Sequence, residues 1–204
     1  METLLWLIRH PEPEAAAGGR CYGSQDWQLS EAGIRQAHAL ARQMAAEPLS
    51  AIYTSPRRRC RQAAGILAES RDCPAECVEA LRELDFGAFE GRRYEEIAEL
   101  YPALYQEWMD RPTEVQFPGG ESFRDMRARV LAAAADLRAR HTGNAIALVT
   151  HGGVNRIILA EALGLPPAHI FRIAQRYAAM NLVRYFEDTT LVELVNGMAE
   201  SRSR

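Results

Sequence analysis

Residues 4–14 read LLWLIRHPEPE. Leu4 to Ile8 are an unbroken apolar run, and they predict a buried strand over about 3–9. The run stops abruptly at Arg9 and His10, and Pro11 closes it. Proline brings no N–H to a sheet and biases the preceding residue toward extended backbone, which a strand end already has. The stretch therefore poses a question: what do an arginine and a histidine meet at the end of a buried strand?

A second stretch has the same form. NAIALVT, residues 144–150, is the clearest other buried strand, and it runs into His151-Gly152-Gly153. Between the two, a loop rich in Pro, Ala and Gly is followed by a helix predicted over about 31–46. Ser30 is its cap, and Ile34, Ala37, Leu40, Ala41 and Met44 form its apolar face. LSAIYTSP predicts another strand, after which Ser55 caps a helix with Pro56 at its first position. AECVEALREL reads as a third strand running into a turn, and a helical segment is predicted near 94–109. Ser122 and Asp125 resemble a capping box before a long helix striped by Phe123, Met126, Val130, Ala134 and Leu137. A helix near 154–163 stops at Gly164, and strands near 181–186 and 190–195 pair across the turn EDT. Strand and helix alternate along most of the chain, which predicts an α/β fold with a largely parallel sheet covered on both faces.

The 204 residues suit one domain, and 48% hydrophobic with 25% charged residues is ordinary for a soluble globular protein. A net charge of -3 argues against a nucleic-acid or membrane-surface binder, although SPRRRCR at 55–61 is locally basic. The N-terminal apolar run lacks the basic flank and cleavage site of a signal peptide and is too short to span a membrane. Cys21, Cys60, Cys73 and Cys77 follow no disulfide or zinc spacing and read as reduced thiols, which suggests the cytoplasm.

In open α/β sheets, ligands bind beyond the carboxyl ends of the strands, where His10 and His151 both fall. The arginines of YTSPRRRC begin a helix at a third strand end, and with the positive helix end they form an anion site suited to phosphate. Arg57, Arg58 and Arg61 can equally belong to a solvated basic face. Glu83, in an apolar setting, reads either as a proton carrier with a raised pKa or as a salt-bridge partner, with Asp85 a competitor for the acid role. A neutral histidine, guanidinium groups and a carboxylic acid around a small anion are the parts that phosphoryl transfer through a phosphohistidine requires, without a metal.

These stretches, in this order, resemble the histidine phosphatase superfamily, the phosphoglycerate-mutase-like enzymes, over nearly the whole chain. LIRHP stands at the Arg-His-Gly motif, which implies His10 as the phosphorylated nucleophile and Arg9 as a phosphate ligand. SPRRRCRQAA picks Arg59 from the basic cluster, LRELDFGAFEG marks Glu83 as proton donor, and VTHGG supplies His151 with Gly152 at the phosphate site. FPGGESFRDMRARV matches the segment before the family's long helix. The carbonyl of the residue after the nucleophile serves its second ring nitrogen in this family, and Pro11 keeps that carbonyl. Pro11, Ala16 and Ala63 depart from the common glycine, asparagine and threonine.

The resemblance implies a three-layer αβα domain over residues 1–204 with a flap-like insertion at about 91–120. GRCYGSQDWQLSEAG looks most like the α-ribazole phosphatase branch, with Arg20 and Tyr22 toward the substrate. The implied activity is a metal-independent phosphomonoesterase without a cofactor, acting on a small phosphorylated substrate such as α-ribazole 5′-phosphate. A broad sugar-phosphate phosphatase, a phosphoglycerate mutase and a non-catalytic phosphate-binding module are the alternatives. The aromatics of 91–120 are expected mostly to pack inward. Nothing in the sequence selects an oligomeric state.

Overall fold

The structure, a computed structural model, describes residues 2–69 and 71–199. A six-stranded mixed sheet is its centre. The strands are β1 (Thr3–Arg9), β2 (Leu49–Thr54), β3 (Ala75–Cys77), β4 (Ala145–Thr150), β5 (Met180–Tyr185) and β6 (Thr190–Gly197), in the order β3-β2-β4-β1-β5-β6. The first four run parallel, and β5 and β6 add an antiparallel edge.

The unbroken apolar strands are explained by two covered faces. Leu5 and Leu7 of β1 and Ile146 and Leu148 of β4 enter one core. Trp6, Ile8, Ala147 and Val149 enter the other. Helices α1 (Glu31–Gln43) and α2 (Arg58–Ala68) cover the second face, through Ala37, Leu40, Ala63 and Leu67. On the first face, α5 (Phe123–Arg140) and α6 (Gly152–Ala162) contribute Val130, Leu137, Val154 and Ile158. Each such aliphatic side chain contributes about 1.5–3 kcal/mol when fully buried. The layering is αβα, as the alternation of elements predicted.

Several boundaries differ from expectation, each for a local reason. The third strand is only β3. Its chain then leaves the sheet, because Arg129 of α5 gathers the carbonyls of Ala80, Arg82 and Glu83. The helix expected over 94–109 is two helices, α3 (Tyr94–Leu100) and α4 (Pro102–Asp110), broken where Pro102 opens the second. Most aromatics here pack inward: Trp108 has ring centroids of Phe86, Phe89, Tyr94 and Phe117 within 5.4–5.7 Å. Tyr94 keeps an exposed edge. Among the described residues, no helix is long and apolar enough to cross a membrane.

Candidate active site

Parallel register brings the reactive groups together. Arg9 pairs with Thr150 and Thr54 with Val149, so the next residues along three adjacent strands are His10, His151 and Ser55. All three are buried, and the two histidine rings lie 5.2 Å apart, edge to face.

His10 is held in one tautomer. Its Nδ1 stands 2.8 Å from the Pro11 carbonyl, which accepts only from an N–H, so the proton belongs on Nδ1. Nε2 is then the free base, and it accepts from Arg59 Nε at 3.3 Å. His151 Nε2 meets Ser55 Oγ at 2.7 Å, and its Nδ1 faces Arg59 Nη2 at 3.2 Å. Both imidazoles are held neutral well below the usual histidine range, first by burial, then by the charge of Arg59.

This has two checkable consequences. In NMR titration of the ligand-free protein, neither histidine should begin to titrate as the pH falls through 6.5. The unfolded chain does take up protons near 6.5, so folding stability should decline as the pH drops below that value and continue declining toward the lower folded pKa values. An ordinary titration of His10 near pH 6.5 would refute the assignment.

Arg59 is fully buried and reaches the site from α2, donating also to the carbonyls of Gly23 and Gln25. The helix cap is not the one expected. α2 starts at Arg58, beyond Pro56, and the Asp26 carboxylate, from the loop after β1, accepts the Arg58 N–H. Ser55 instead serves His151 and the Arg57 N–H. Because a carboxylate occupies this helix end, what α2 brings to the site is the Arg59 guanidinium and not the free N–H groups of its first turn. Arg58 and Arg61 lie on the exposed face, and Arg61 is 3.9 Å from Asp26.

Glu83 does not lie at a strand end, nor is its setting apolar. It follows a 3₁₀ turn, and its carboxylate accepts from the backbone N–H groups of Gly153 and Leu84, both at 3.0 Å. The Gly153 contact caps α6 from a distance, which is why that helix begins at Gly152 and not near 154. The glycines of HGG make room. A Cβ on Gly153 would lie 2.3 Å from Glu83 Oε1, and one on Gly152 would lie 3.4 Å from Arg9 Nε. Asp85 is turned away from this role, its carboxylate accepting from Gly87 N.

A cleft of about 350 Å³ is lined by Arg9, His10, Arg59 and Glu83, whereas His151 is fully buried and not part of its wall. Arg20 and Tyr22 also line it, Arg20 bonding the Gly91 carbonyl and Tyr22 the hydroxyl of Tyr177. Tyr94, Phe86 and Ala16 complete part of the wall. Arg156 and Tyr177, which also line it, escaped the sequence reading. Arg156 sits just over one helical turn beyond His151, and its guanidinium and that of Arg9 both approach the open side of Gly152, while its Nε donates to Ile173 O. A basic residue one turn into the helix after HGG was the available signal. Tyr177 comes from an irregular segment before β5, which carried no periodic signal at all. Two supports were also unforeseen. Glu90 collects the N–H groups of Gly23, Ser24 and Phe86, and Glu121 grips Arg129 with both carboxylate oxygens at 2.6 and 2.7 Å.

Chemically, the cleft offers an unprotonated ring nitrogen, several guanidinium groups and one carboxylate. Comparison with known proteins agrees with this inventory. Residues 5–197 match the family model described as "Histidine phosphatase superfamily (branch 1)". The chain is 30% identical to phosphoserine phosphatase 1 of Hydrogenobacter thermophilus, over 94% of this chain and 91% of that protein. It is 28% identical to the adenosylcobalamin/alpha-ribazole phosphatase of Salmonella typhimurium, with 96% of each chain covered. The solved structure of Bacillus stearothermophilus YhfR superposes with a TM-score of 0.90 at 31% identity, covering 97% of this chain and 98% of that one.

Proposed function

This chain belongs to the histidine phosphatase superfamily (branch 1), and from that premise we propose that it is a metal-independent phosphomonoesterase of the cytoplasm that works through a phosphohistidine. His10 Nε2 attacks phosphorus. Arg9, Arg59 and His151 hold the peripheral oxygens with the amide end at Gly152, and positive charge there offsets the charge of the transition state. Glu83 protonates the departing oxygen and then, as carboxylate, activates the water that hydrolyses the phosphohistidine. The observation that carries this reading is the buried His10 ring, fixed by Pro11 O with its free nitrogen against Arg59.

The preferred substrate is α-ribazole 5′-phosphate. Support comes from the Salmonella relative and from the aromatic residues Tyr22, Phe86 and Tyr94 in the cleft wall, which suit a flat base. Arg20 at the rim is suited to polar groups of the ribose. Segment 91–120 closes this side of the cleft through Tyr94, the role of a flap.

Phosphoserine is the second reading. Arg156, beside Arg9, is suited to a carboxylate near the phosphate, and the Hydrogenobacter relative is named for that substrate. A panel of α-ribazole 5′-phosphate, phosphoserine, phosphoethanolamine, 3-phosphoglycerate and an aryl phosphate, assayed with chelator present, separates these. The expected result is kcat/KM for α-ribazole 5′-phosphate roughly 10-fold or more above phosphoserine. The reverse order would replace the substrate. Conversion of 3-phosphoglycerate to its isomer would indicate a mutase, and no turnover of any ester would leave a phosphate-binding module.

A further inference from the structure

The segment between α6 and β5 has no part in the mechanism above, yet it is built around Arg9. Gln175 O accepts from Arg9 Nη1 at 2.5 Å, and Ala179 O accepts from Arg9 N at 2.9 Å. The ring of Tyr177 lies against the guanidinium, 4.1 Å from Cζ to centroid, and 5.6 Å from the His10 ring. Its hydroxyl is tied to that of Tyr22 at 2.6 Å. Between them sits Ala178, a non-glycine residue at φ 58°, whose N–H donates to His10 O at 3.3 Å. A left-handed alanine is unfavourable and persists only where its surroundings over-determine it.

Those surroundings are a buried amide network. Gln175 and Asn181 exchange hydrogen bonds at 2.7 and 3.0 Å, Gln175 Oε1 also accepts from Asn155, and Asn181 donates to Leu7 O within β1. Asn155 in turn accepts from Thr150, at the end of β4. The network joins this segment to both strands that carry the histidines. Arg9 Nε, by contrast, is buried with no hydrogen-bond partner among the described residues.

We propose that Tyr177 is a positioning residue whose ring, set in place by the left-handed turn at Ala178, holds the Arg9 guanidinium in the orientation that receives phosphate. The proposal rests on the reading of Arg9 as a phosphate ligand and adds to it the means by which that arginine is aimed.

Binding of inorganic phosphate, measured by calorimetry, tests this without any assumption about the ester substrate. Tyr177→Leu should weaken phosphate about 30-fold, the size of a desolvated cation–π contact. In an Arg9→Ala background the same change should add no more than about 2-fold, because its effect acts through Arg9. Tyr177→Phe keeps the ring, and should stay within about 3-fold of the parent. Multiplying losses in the double variant would overturn the proposal. So would a Tyr177→Phe loss as large as that of Tyr177→Leu, since the hydroxyl would then be the working group. If Tyr177→Leu does not fold, Tyr177→Phe decides alone, and a loss well beyond about 3-fold overturns the proposal. A parent chain that binds no phosphate removes the reading of the site and this proposal together, whereas additivity in a binding-competent chain removes this proposal only.

Discussion

His10→Ala is expected to lower kcat by roughly 10⁴-fold or more on every phosphate ester, and to abolish the acid-labile phosphoprotein that the parent should form in rapid quench. The size of the loss follows from the absence of a substitute within reach. His151 has both ring nitrogens engaged, one with Ser55 and one toward Arg59. Cys60 lies 3.5 Å from His151, but burial pushes its thiol up to about 12, and it is not a nucleophile at neutral pH. Removal of the ring also leaves Arg59 Nε without its partner beside a small void, so thermal unfolding should be recorded alongside. A folded variant with substantial residual turnover would require a different nucleophile.

Glu83→Gln should divide substrates by their leaving groups. Alkyl phosphates expel a strongly basic alkoxide and should lose about 10²–10⁴-fold in kcat, the range of general acid–base catalysis. Aryl phosphates leave without a proton and should lose about 10-fold or less. The residual loss has a structural source. Both carboxylate oxygens accept backbone N–H groups, so an amide must set its NH₂ against Gly153 N or Leu84 N, two donors facing each other. Glu83→Asp, assayed beside it, keeps the acid but shortens its reach. Equal losses across a leaving-group series would place Glu83 outside the proton transfer.

The sequence was most legible where one strand had to satisfy two cores. LLWLI and AIALV have no polar alternation because both faces are covered, and the polar residues that end them stand where the sheet opens to the cleft. Local capping was legible too: Ser30 and Ser122 each accept an N–H of the helix they precede. What failed was the capping of α2 and α6 and the surroundings of Glu83, each settled by residues far apart in the chain. Asp26 caps α2 across 32 residues and Glu83 caps α6 across 70, so neither helix start could be read from its own neighbourhood. Glu83 was picked out by its motif, but its polar surroundings come from α6 and were invisible in the segment itself. Tyr177 belongs to a stretch with neither helical nor strand period, and only the folded amide network gives it an address.

The proposed phosphate grip and the proposed proton donor hang from different parts of the molecule. His10, His151 and Ser55 are fixed by the register of β1, β4 and β2, whereas Glu83 sits on an arm whose carbonyls are held by Arg129, itself gripped by Glu121. In the proposed mechanism, the choice of departing alcohol and the hold on phosphorus therefore answer to separate scaffolds, and replacing the arm with its neighbouring loops should alter which ester is cleaved before it alters how tightly phosphate is held.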